Sequence, residues 1–243
     1  MTFSIIGNDA RQERLTRLLL RDGHTVHASP DPRSDCVVWG IPTPSNAAEF
    51  IRAGQIAIGG RVPSGLDVID YVKREDFAIA NAVPSAEGAI QLAMERTERT
   101  IHGSDALVIG FGRIGKVLSR SLAALGARVT VSARKTEDFK WCQTLNYGCL
   151  ETSKLEGRLG AFDSVFNTVP KPVLTDGLLS ELREDALVLD LASAPGGVDF
   201  AAAKNRGVNC HWALGLPAKV APETAATILR DTVYAIIRER LDN

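Results

Sequence analysis

The segment that decides the fold is Asp105–Val117, with the sequence DALVIGFGRIGKV. Its apolar run Ala106–Ile109 predicts a buried strand, a helical pattern comes after it, and Arg128–Val131 predicts a second strand. A glycine pattern alone is common, but a strand, a glycine loop, a helix and a strand in this order are typical of a dinucleotide-binding unit. The loop between the first strand and the helix has the spacing G-x-G-x-x-G, supplied by Gly110, Gly112 and Gly115.

The glycine loop predicts a site for a pyrophosphate. Glycines allow a tight turn and a close approach to backbone N–H groups, and the start of the following helix stabilises negative charge. The alternative is a glycine-rich turn that binds nothing, which the surrounding strands and helix make the weaker interpretation. The residues predicted to contact the cofactor here are Gly110, Phe111, Gly112, Arg113, Ile114 and Gly115.

The end of the second strand indicates which dinucleotide is bound. An NAD site places Asp or Glu about 20 residues after the first glycine, where it accepts from the ribose 2′-hydroxyl. Here the strand ends in Ser132-Ala133-Arg134-Lys135, and no carboxylate occurs before Glu137. A serine and an arginine suit a 2′-phosphate, which an acid would repel. We therefore predict NADP, bound by Ser132, Arg134 and Lys135; the alternative is that Arg134 and Lys135 form a solvated loop end.

Two later strand patterns, Ser164–Val169 and Ala186–Ser193, continue the same unit. Ligands of doubly wound sheets lie beyond the carboxyl ends of the strands. Asp190 is expected to orient neighbouring groups rather than to transfer a proton. The residues predicted to border the nicotinamide are Thr168, Val169, Pro170, Ala192 and Ser193.

The preceding part of the chain also alternates strand and helix patterns. Phe3–Gly7 predicts a strand and Arg11–Arg21 a helix, while Phe77–Ala80 predicts a strand that is followed by a break at Asn81–Pro84. Ser85 then resembles the N-cap of a long helix. Shorter strands are predicted at His24–Ala28, Cys36–Trp39 and Gln55–Ile58, with a helix at Ala47–Ala53.

The predicted fold class is therefore α/β, with two doubly wound Rossmann-like domains of parallel sheets joined by a long linking helix. The final helical pattern, Glu223–Arg240, is predicted to pack back across the domain junction. The predicted boundaries are 1–84 for an N-terminal α/β domain on the substrate side, 85–101 for the linking helix, 102–215 for the NADP-binding Rossmann domain and 216–243 for the C-terminal helix returning to the N-terminal domain.

Composition excludes several other classes of protein. The 243 residues are 45% hydrophobic and 23% charged, which argues against disorder, and 28 basic against 29 acidic side chains give no general attraction to nucleic acid or acidic lipid. Four scattered cysteines suggest neither a disulfide framework nor a metal site. The polar start and the lack of a long apolar run predict a cytoplasmic protein without a membrane segment. A homo-oligomer is compatible with the sequence, which is silent on assembly.

Six stretches of the chain form a distinctive series. In chain order they are Ile6–Gln12, Arg74–Gly88, Thr100–Ser104, the Gly110 loop, Leu189–Gly197 and Gly215–Ala225. Together these stretches resemble the family of the dipicolinate synthase A subunit. The resemblance is close over residues 71–135 and 186–230 and poor between 28 and 70, where the N-terminal lobe of that family is longer.

The resemblance implies an NADP-linked oxidation in a branch of the lysine pathway. Dihydrodipicolinate, or its 4-hydroxy-tetrahydro precursor, would become dipicolinate (pyridine-2,6-dicarboxylate), the compound of bacterial endospores. The resemblance also implies a second, flavoprotein-like subunit.

A dicarboxylate substrate needs cationic or N–H-rich positions. Arg11 follows the first strand and is suited to hold a carboxylate, although it also fits an ordinary surface arginine. Ser85 is equally explained as a helix cap, and Glu87 as a carboxylate that stabilises the helix dipole. No catalytic acid or base is predicted, because none of the four histidines lies in a recognisable acid–base pair. The candidate substrate-binding residues are Arg11, Asn81, Ser85, Glu87, Gly215 and Leu216.

Two alternative functions remain open at this stage. The first is a hydroxyacid dehydrogenase, although its late histidine is not evident, since His211 lies several residues before the expected position. The second is a scaffold subunit that binds the cofactor without turnover of its own, because its shortened N-terminal lobe no longer closes an active site.

Overall fold

The computed structural model describes residues 1–242 and divides into two compact units. The first unit comprises Met1–Pro84 together with the segment that begins at Pro217, and the second unit comprises Ser85–Leu216. Each unit is an α/β sandwich around a parallel sheet, which confirms the predicted fold class. None of the helices within residues 1–242 is long and apolar enough to cross a membrane.

The first unit contains a sheet of five strands in the order β2-β1-β3-β4-β5, with every neighbouring pair parallel. Alternate residues of β3 face opposite layers, so that Val38 packs towards the long helices and Trp39 towards the other face. The strands are β1 (Thr2–Ile6), β2 (Thr25–His27), β3 (Cys36–Trp39), β4 (Ile56–Gly59) and β5 (Ile69–Asp70).

Two helices cover one face of this sheet. Helix α1 spans Ala10–Arg21, and the terminal helix α8 spans Pro222–Leu241. Leu15 of α1 and Leu229 of α8 are fully buried in the same core as Phe3. The terminal helix therefore completes the core of the first unit. Short 3₁₀ helices lie at Ala47–Phe50, where a longer helix was expected, and at Tyr71–Lys73.

The segment before Ser85 differs from its prediction. Residues predicted as a strand and a break belong to helix α2, which runs through Glu75–Arg96 with Pro84 inside it. The alanines around Pro84 favour a helix, and the acidic pair at its start was a helix signal that the short apolar run obscured. The predicted linking helix over 85–101 therefore overlaps only the second half of α2, which ends at Arg96.

This correction moves Ser85 and Glu87 away from a helix start. Both lie in the interior of α2, so Ser85 is not an N-cap and forms no anion site of that kind. Glu87 lies outside the first turn and is exposed. The boundary between the two compact units falls inside α2, between Pro84 and Ser85, and Ala86 and Ala89 pack in the core of the second unit.

The second unit contains a sheet of six parallel strands in the order β8-β7-β6-β9-β10-β11. This is the strand order 3-2-1-4-5-6 of dinucleotide-binding sheets, with its reversal between β6 and β9. The strands are β6 (Asp105–Ile109), β7 (Arg128–Ala133), β8 (Gly148–Glu151), β9 (Ser164–Asn167), β10 (Leu187–Asp190) and β11 (Asn209–Trp212).

Helices cover both faces of this sheet, with separate apolar clusters against each. Further short 3₁₀ helices lie at Thr152–Lys154 and Leu159–Ala161. The α-helices that follow α2 in chain order are α3 (Arg113–Ala124), α4 (Thr136–Thr144), α5 (Asp176–Leu179), α6 (Phe200–Asn205) and α7 (Leu216–Val220).

Burial of α8 in the first unit can be tested with two leucines of that helix. We expect Leu229→Ala to lower the free energy of unfolding by about 2–5 kcal/mol, because a fully buried side chain leaves a cavity. Leu241→Ala is the matched control, because Leu241 is 72% exposed and its loss should change stability by less than about 0.5 kcal/mol. Urea denaturation followed by circular dichroism measures both, and equal effects would contradict the packing described.

Candidate functional site

The three glycines of the loop after β6 each meet a different geometric demand. Gly110 has φ +96°, and a Cβ there would lie 2.5 Å from the Thr168 hydroxyl oxygen. A Cβ on Gly115 would lie 2.1 Å from the Gly110 carbonyl oxygen, so the start of α3 presses directly against the loop. Gly112 is the N-cap of α3 and faces open space, with nothing within 4 Å of an added Cβ. The open position is the one at which a pyrophosphate can approach the first N–H groups of α3.

We call the loop Gly110–Gly115 the glycine cradle. Its other residues lie around the open position at Gly112. Phe111 is buried against the core of the second unit, and the Lys116 ammonium lies 5.7 Å from the centre of its ring. Arg113 is exposed in the first turn of α3, and Ile114 is half-buried. The loop thus exposes backbone and a cation, while its one aromatic side chain anchors it.

The end of β7 lies beside the glycine loop, because Ser132 pairs with Ile109 in the sheet. The Ser132 side chain is fully buried, and its hydroxyl forms a hydrogen bond of 2.8 Å with that of Thr152. This hydroxyl points into the protein, so it is not presented for the predicted contact with a 2′-phosphate. Arg134 is exposed, whereas Lys135 is engaged with Glu137 at 3.7 Å. Of the three predicted residues, Arg134 presents its charge most freely.

The ends of β9 and β10 are tied together by a buried carboxylate. Asp190 is fully buried and accepts from the Asn167 side-chain amide at 2.8 Å, from the Ala192 backbone N–H at 3.0 Å and from the Gly197 backbone N–H at 2.7 Å. Asn167 in turn holds the turn after β9, since its amide donates to the Val169 carbonyl and its oxygen accepts from the Val169 N–H. Asp190 therefore orients neighbouring backbone, which is the role expected for it.

These contacts position the segments predicted to border the nicotinamide. The Thr168 hydroxyl donates to the Ile109 carbonyl, which joins the turn after β9 to the end of β6. The indole N–H of Trp212 donates to the Ala192 carbonyl at 2.9 Å and fixes the loop after β10. Pro170 and Ser193 are exposed at the tips of the two segments. Both segments thus lie at the carboxyl edge of the sheet, next to its point of reversal.

The candidate substrate residues are distributed over both units. Arg11 lies in the first turn of α1 and is buried, while Asn81 lies on the half of α2 that belongs to the first unit. Gly215 is exposed between β11 and α7 with φ +70°, and the Leu216 side chain packs in the core of the second unit. Burial of Leu216 leaves only its backbone available to a ligand. Ser85 and Glu87 are the mid-helix residues described above.

Several residues that shape the site had no local signal in the sequence. Trp212, Thr152 and the fully buried Tyr71 gain their roles only from packing. The hydrophobic burial of Tyr71 raises its pKa to about 12. A polar residue at the last position of a parallel strand is the one general hint that could have directed attention to Asn167.

Burial governs the titration of three thiols and one imidazole. Burial raises the pKa of Cys36, Cys142 and Cys210 to about 12, so these side chains stay protonated at neutral pH. Burial, helped by the Arg96 cation, lowers the pKa of His211, whose ring nitrogen contacts the Asn209 side chain at 2.8 Å. Within residues 1–242, no three His, Cys, Asp or Glu side chains cluster as metal ligands would.

Comparison with known proteins agrees with this geometry. Residues 77–189 match the family described as D-isomer specific 2-hydroxyacid dehydrogenase, NAD binding domain. A segment of 172 residues, or 71% of the chain, is 38% identical to the A subunit of dipicolinate synthase from Bacillus subtilis (strain 168). Over this segment the chain is similar to the dipicolinate synthase A subunit. The matched segment spans 58% of the length of that protein.

Solved structures extend the similarity to the whole fold. The A subunit of dipicolinate synthase from Bacillus halodurans superposes with a TM-score of 0.86 at 29% identity, covering 97% of each chain. D-Lactate dehydrogenase from Salmonella superposes with a TM-score of 0.66 at 14% identity, covering 97% of this chain and 96% of the other, and shares the fold alone. The family match itself supports a nicotinamide-binding, dehydrogenase-like domain over residues 77–189.

The close contact between Gly115 and Gly110 predicts opposite outcomes for two similar substitutions. We expect Gly115→Ala to destabilise the second unit by about 1–3 kcal/mol, because its methyl group would overlap a backbone carbonyl that cannot rotate away. Gly112→Ala should fold with nearly unchanged stability, because its backbone is extended and its surroundings are open. Thermal unfolding of both variants measures the difference, and equal melting temperatures would contradict the packing.

The Asp190 network predicts a large loss of stability on truncation. Asp190→Ala leaves three buried N–H donors without an acceptor and should cost about 3 kcal/mol or more. Asp199→Ala, which removes only the cap of α6 at Ala202, is the control and should cost about 1 kcal/mol. Chemical denaturation compares the two, and a loss at Asp190 no greater than that at Asp199 would show that the network is dispensable.

Proposed function

We propose that this chain is an NADP-dependent oxidoreductase that forms dipicolinate from dihydrodipicolinate or its 4-hydroxy-tetrahydro precursor. The observation that carries the proposal is the glycine cradle at the β6/β9 reversal, in a chain 38% identical to the dipicolinate synthase A subunit over 172 residues. We propose further that it acts on a small diacid and that it is cytoplasmic.

The cradle fits a dinucleotide in its own geometry. Gly110 and Gly115 exclude Cβ atoms so that the loop can close over the strand end, while Gly112 leaves room for a bulky anion at the start of α3. In the proposed complex the N–H groups at this helix start hold the pyrophosphate. The turn at Thr168 and the loop at Ala192 and Ser193 border the nicotinamide.

Preference for NADP is proposed from the charge beside β7. Arg134 is exposed, and the Ser132–Arg134 strand end carries no carboxylate to repel a 2′-phosphate. The Ser132 hydroxyl has no part in the proposed contact with the 2′-phosphate, because it is hydrogen-bonded to the Thr152 hydroxyl.

The chemistry asks little of the protein beyond placement. Oxidised NADP supplies the hydride acceptor, and conversion of the dihydropyridine to a pyridine also releases one proton; the hydroxylated precursor loses water as well. Aromatisation drives the reaction. The chain therefore has mainly to position the substrate ring against the nicotinamide and to keep the bordering loops rigid. The Asp190–Asn167 network supplies that rigidity.

The relative is one subunit of a synthase, and its name implies a second. We propose that a flavoprotein-like partner works with this chain on the same dicarboxylate. The match to a hydroxyacid dehydrogenase domain favours a second candidate function, that of a D-2-hydroxyacid dehydrogenase.

Cofactor choice is tested by titrating NADPH and NADH into the protein and an Arg134→Ala variant. We expect NADPH binding to weaken about tenfold or more on substitution, since a charge-assisted contact is lost, and NADH binding to stay unchanged. Arg120→Ala, an exposed arginine on α3, is the control and should leave both affinities unchanged. Equal affinities for the two cofactors in the unsubstituted protein would overturn the NADP proposal.

Turnover is tested on freshly generated dihydrodipicolinate with NADP⁺, with and without a candidate flavoprotein partner. Dipicolinate formed by this chain, and lost in Gly112→Ala, supports a catalytic role. Product that forms only with the partner and survives Gly112→Ala identifies a scaffold instead. Oxidation of D-lactate with no dipicolinate formed favours the hydroxyacid dehydrogenase.

A further inference from the structure

The sheet of the first unit has its own point of reversal. In the order β2-β1-β3-β4-β5, the chain turns to opposite sides at β1, so the reversal lies between β1 and β3. Ligands of doubly wound sheets collect beyond the carboxyl ends of the strands at such a point. Glycines occupy this edge: Gly7 after β1, Gly40 after β3, and Gly59 and Gly60 at the end of β4.

Polar side chains are buried at this edge. Arg11 is 5% exposed and Gln12 1%, and both come from the first turn of α1. Gln12 lies across the two central strand ends, since a Cβ on Gly7 would be 2.9 Å from its Cγ and one on Gly40 would be 3.3 Å from its amide carbon Cδ. Buried polar groups need a reason, and packing alone does not supply one.

Asp9 holds this group in place. It caps α1 by accepting from the Gln12 backbone N–H at 3.0 Å, and it accepts from Arg11 Nη2 at 3.3 Å. The Gln12 side-chain amide, with its nitrogen towards Asp9, donates to the same carboxylate. Asp9 thereby fixes Arg11 and offsets its charge without contacting the Arg11 Nε.

One donor remains without an acceptor. Arg11 Nε is buried and completes no hydrogen bond within the described residues, whereas the buried Tyr71 hydroxyl lies beside the Gln12 side-chain amide. The hydroxyl lies at the end of β4, where a Cβ on Gly60 would approach it to 2.7 Å. The charges of Arg11 and Asp9 act on the pKa of Tyr71 in opposite directions, which places the three groups in one cluster. An unmet buried donor is destabilising, so a bound acceptor would recover free energy.

We propose that Arg11 and Tyr71 form a carboxylate-binding site at the β1/β3 edge of the first unit. The identity of the diacid rests on the proposed function, whereas the two donors do not. A carboxylate suits the site better than a phosphate, because one singly charged carboxylate of a diacid can lie beside Arg11 and Asp9 with its second carboxylate further away, whereas phosphate concentrates its charge at one point. Gly7 and Asn8, which are exposed, mark the side from which a ligand reaches the cluster.

Burial determines what Tyr71 can contribute. The raised pKa of about 12 keeps the hydroxyl protonated at neutral pH, so Tyr71 serves as a hydrogen-bond donor. Arg11 contributes the positive charge that attracts the carboxylate and the directed N–H groups that bind it. Asp9 and Gln12 are positioning residues that act through Arg11.

The test is calorimetric titration of the full chain, with NADP⁺ present, using dipicolinate and isophthalate as probes. Isophthalate carries two carboxylates in the same 1,3 arrangement and no ring nitrogen. We expect Tyr71→Phe to weaken both ligands about tenfold and Arg11→Gln about a hundredfold, as charge-assisted hydrogen bonds are lost. Inorganic phosphate should not displace either ligand.

Tyr71→Phe separates ligand binding from a structural role. The substitution removes one hydroxyl beside the Gln12 amide and keeps the buried ring, so the melting temperature should change little while affinity falls. Tyr234→Phe, which removes a hydroxyl bonded to Asp22, and Arg17→Gln, at an exposed position on α1, are the matched controls and should bind both diacids normally.

The outcomes distinguish this site from the proposed reaction. Diacid binding that depends on Arg11 and Tyr71, in a chain that forms no dipicolinate, upholds the site and rejects the reaction. Turnover with unchanged diacid binding in both variants rejects the site and upholds the reaction. Absence of binding by the unsubstituted chain at millimolar diacid also overturns the site.

Discussion

The second unit is organised around one close contact, that of Gly115 with the Gly110 carbonyl. Because neither residue carries a Cβ, α3 can begin directly above the end of β6 instead of to one side of it. The same absence lets Thr168 of the neighbouring strand end reach Gly110 and donate to Ile109. The position of the helix N-terminus, and with it the direction of its free N–H groups, follows from this contact.

The rigidity of the adjoining loops depends on a second constraint, the burial of a carboxylate. Three N–H groups compensate Asp190, two of them from the backbone of the loop that it orients. A buried carboxyl group is tolerated only when its oxygens are hydrogen-bonded, so movement of the loop after β10 would leave the Asp190 oxygens without their backbone donors. Asn167 extends this constraint to the turn after β9.

The two units treat buried polar groups differently. Around Asp190 the donors and acceptors satisfy one another, which is what a structural network requires. Around Arg11, by contrast, the buried Nε donor completes no hydrogen bond within the described chain. This difference is the physical basis for assigning positioning to the first network and ligand binding to the second cluster.

Local spacing was enough to predict the Gly110 loop, its flanking strands and the parallel α/β class, because glycine geometry and strand periodicity are properties of neighbouring residues. It failed at Phe77–Pro84, where a short apolar run and a proline suggested a strand and a break, although packing supports a continuous helix. It also could not tell that Ser132 points inward, which depends on the register of β7 beside β6.

The sequence by itself determined where a dinucleotide cradle lies and that the chain forms parallel sheets. Only the tertiary structure decided that Arg11 and Tyr71 meet. Sixty residues separate them, and their proximity arises because α1 and β4 converge on one sheet edge, a relation that no local pattern encodes.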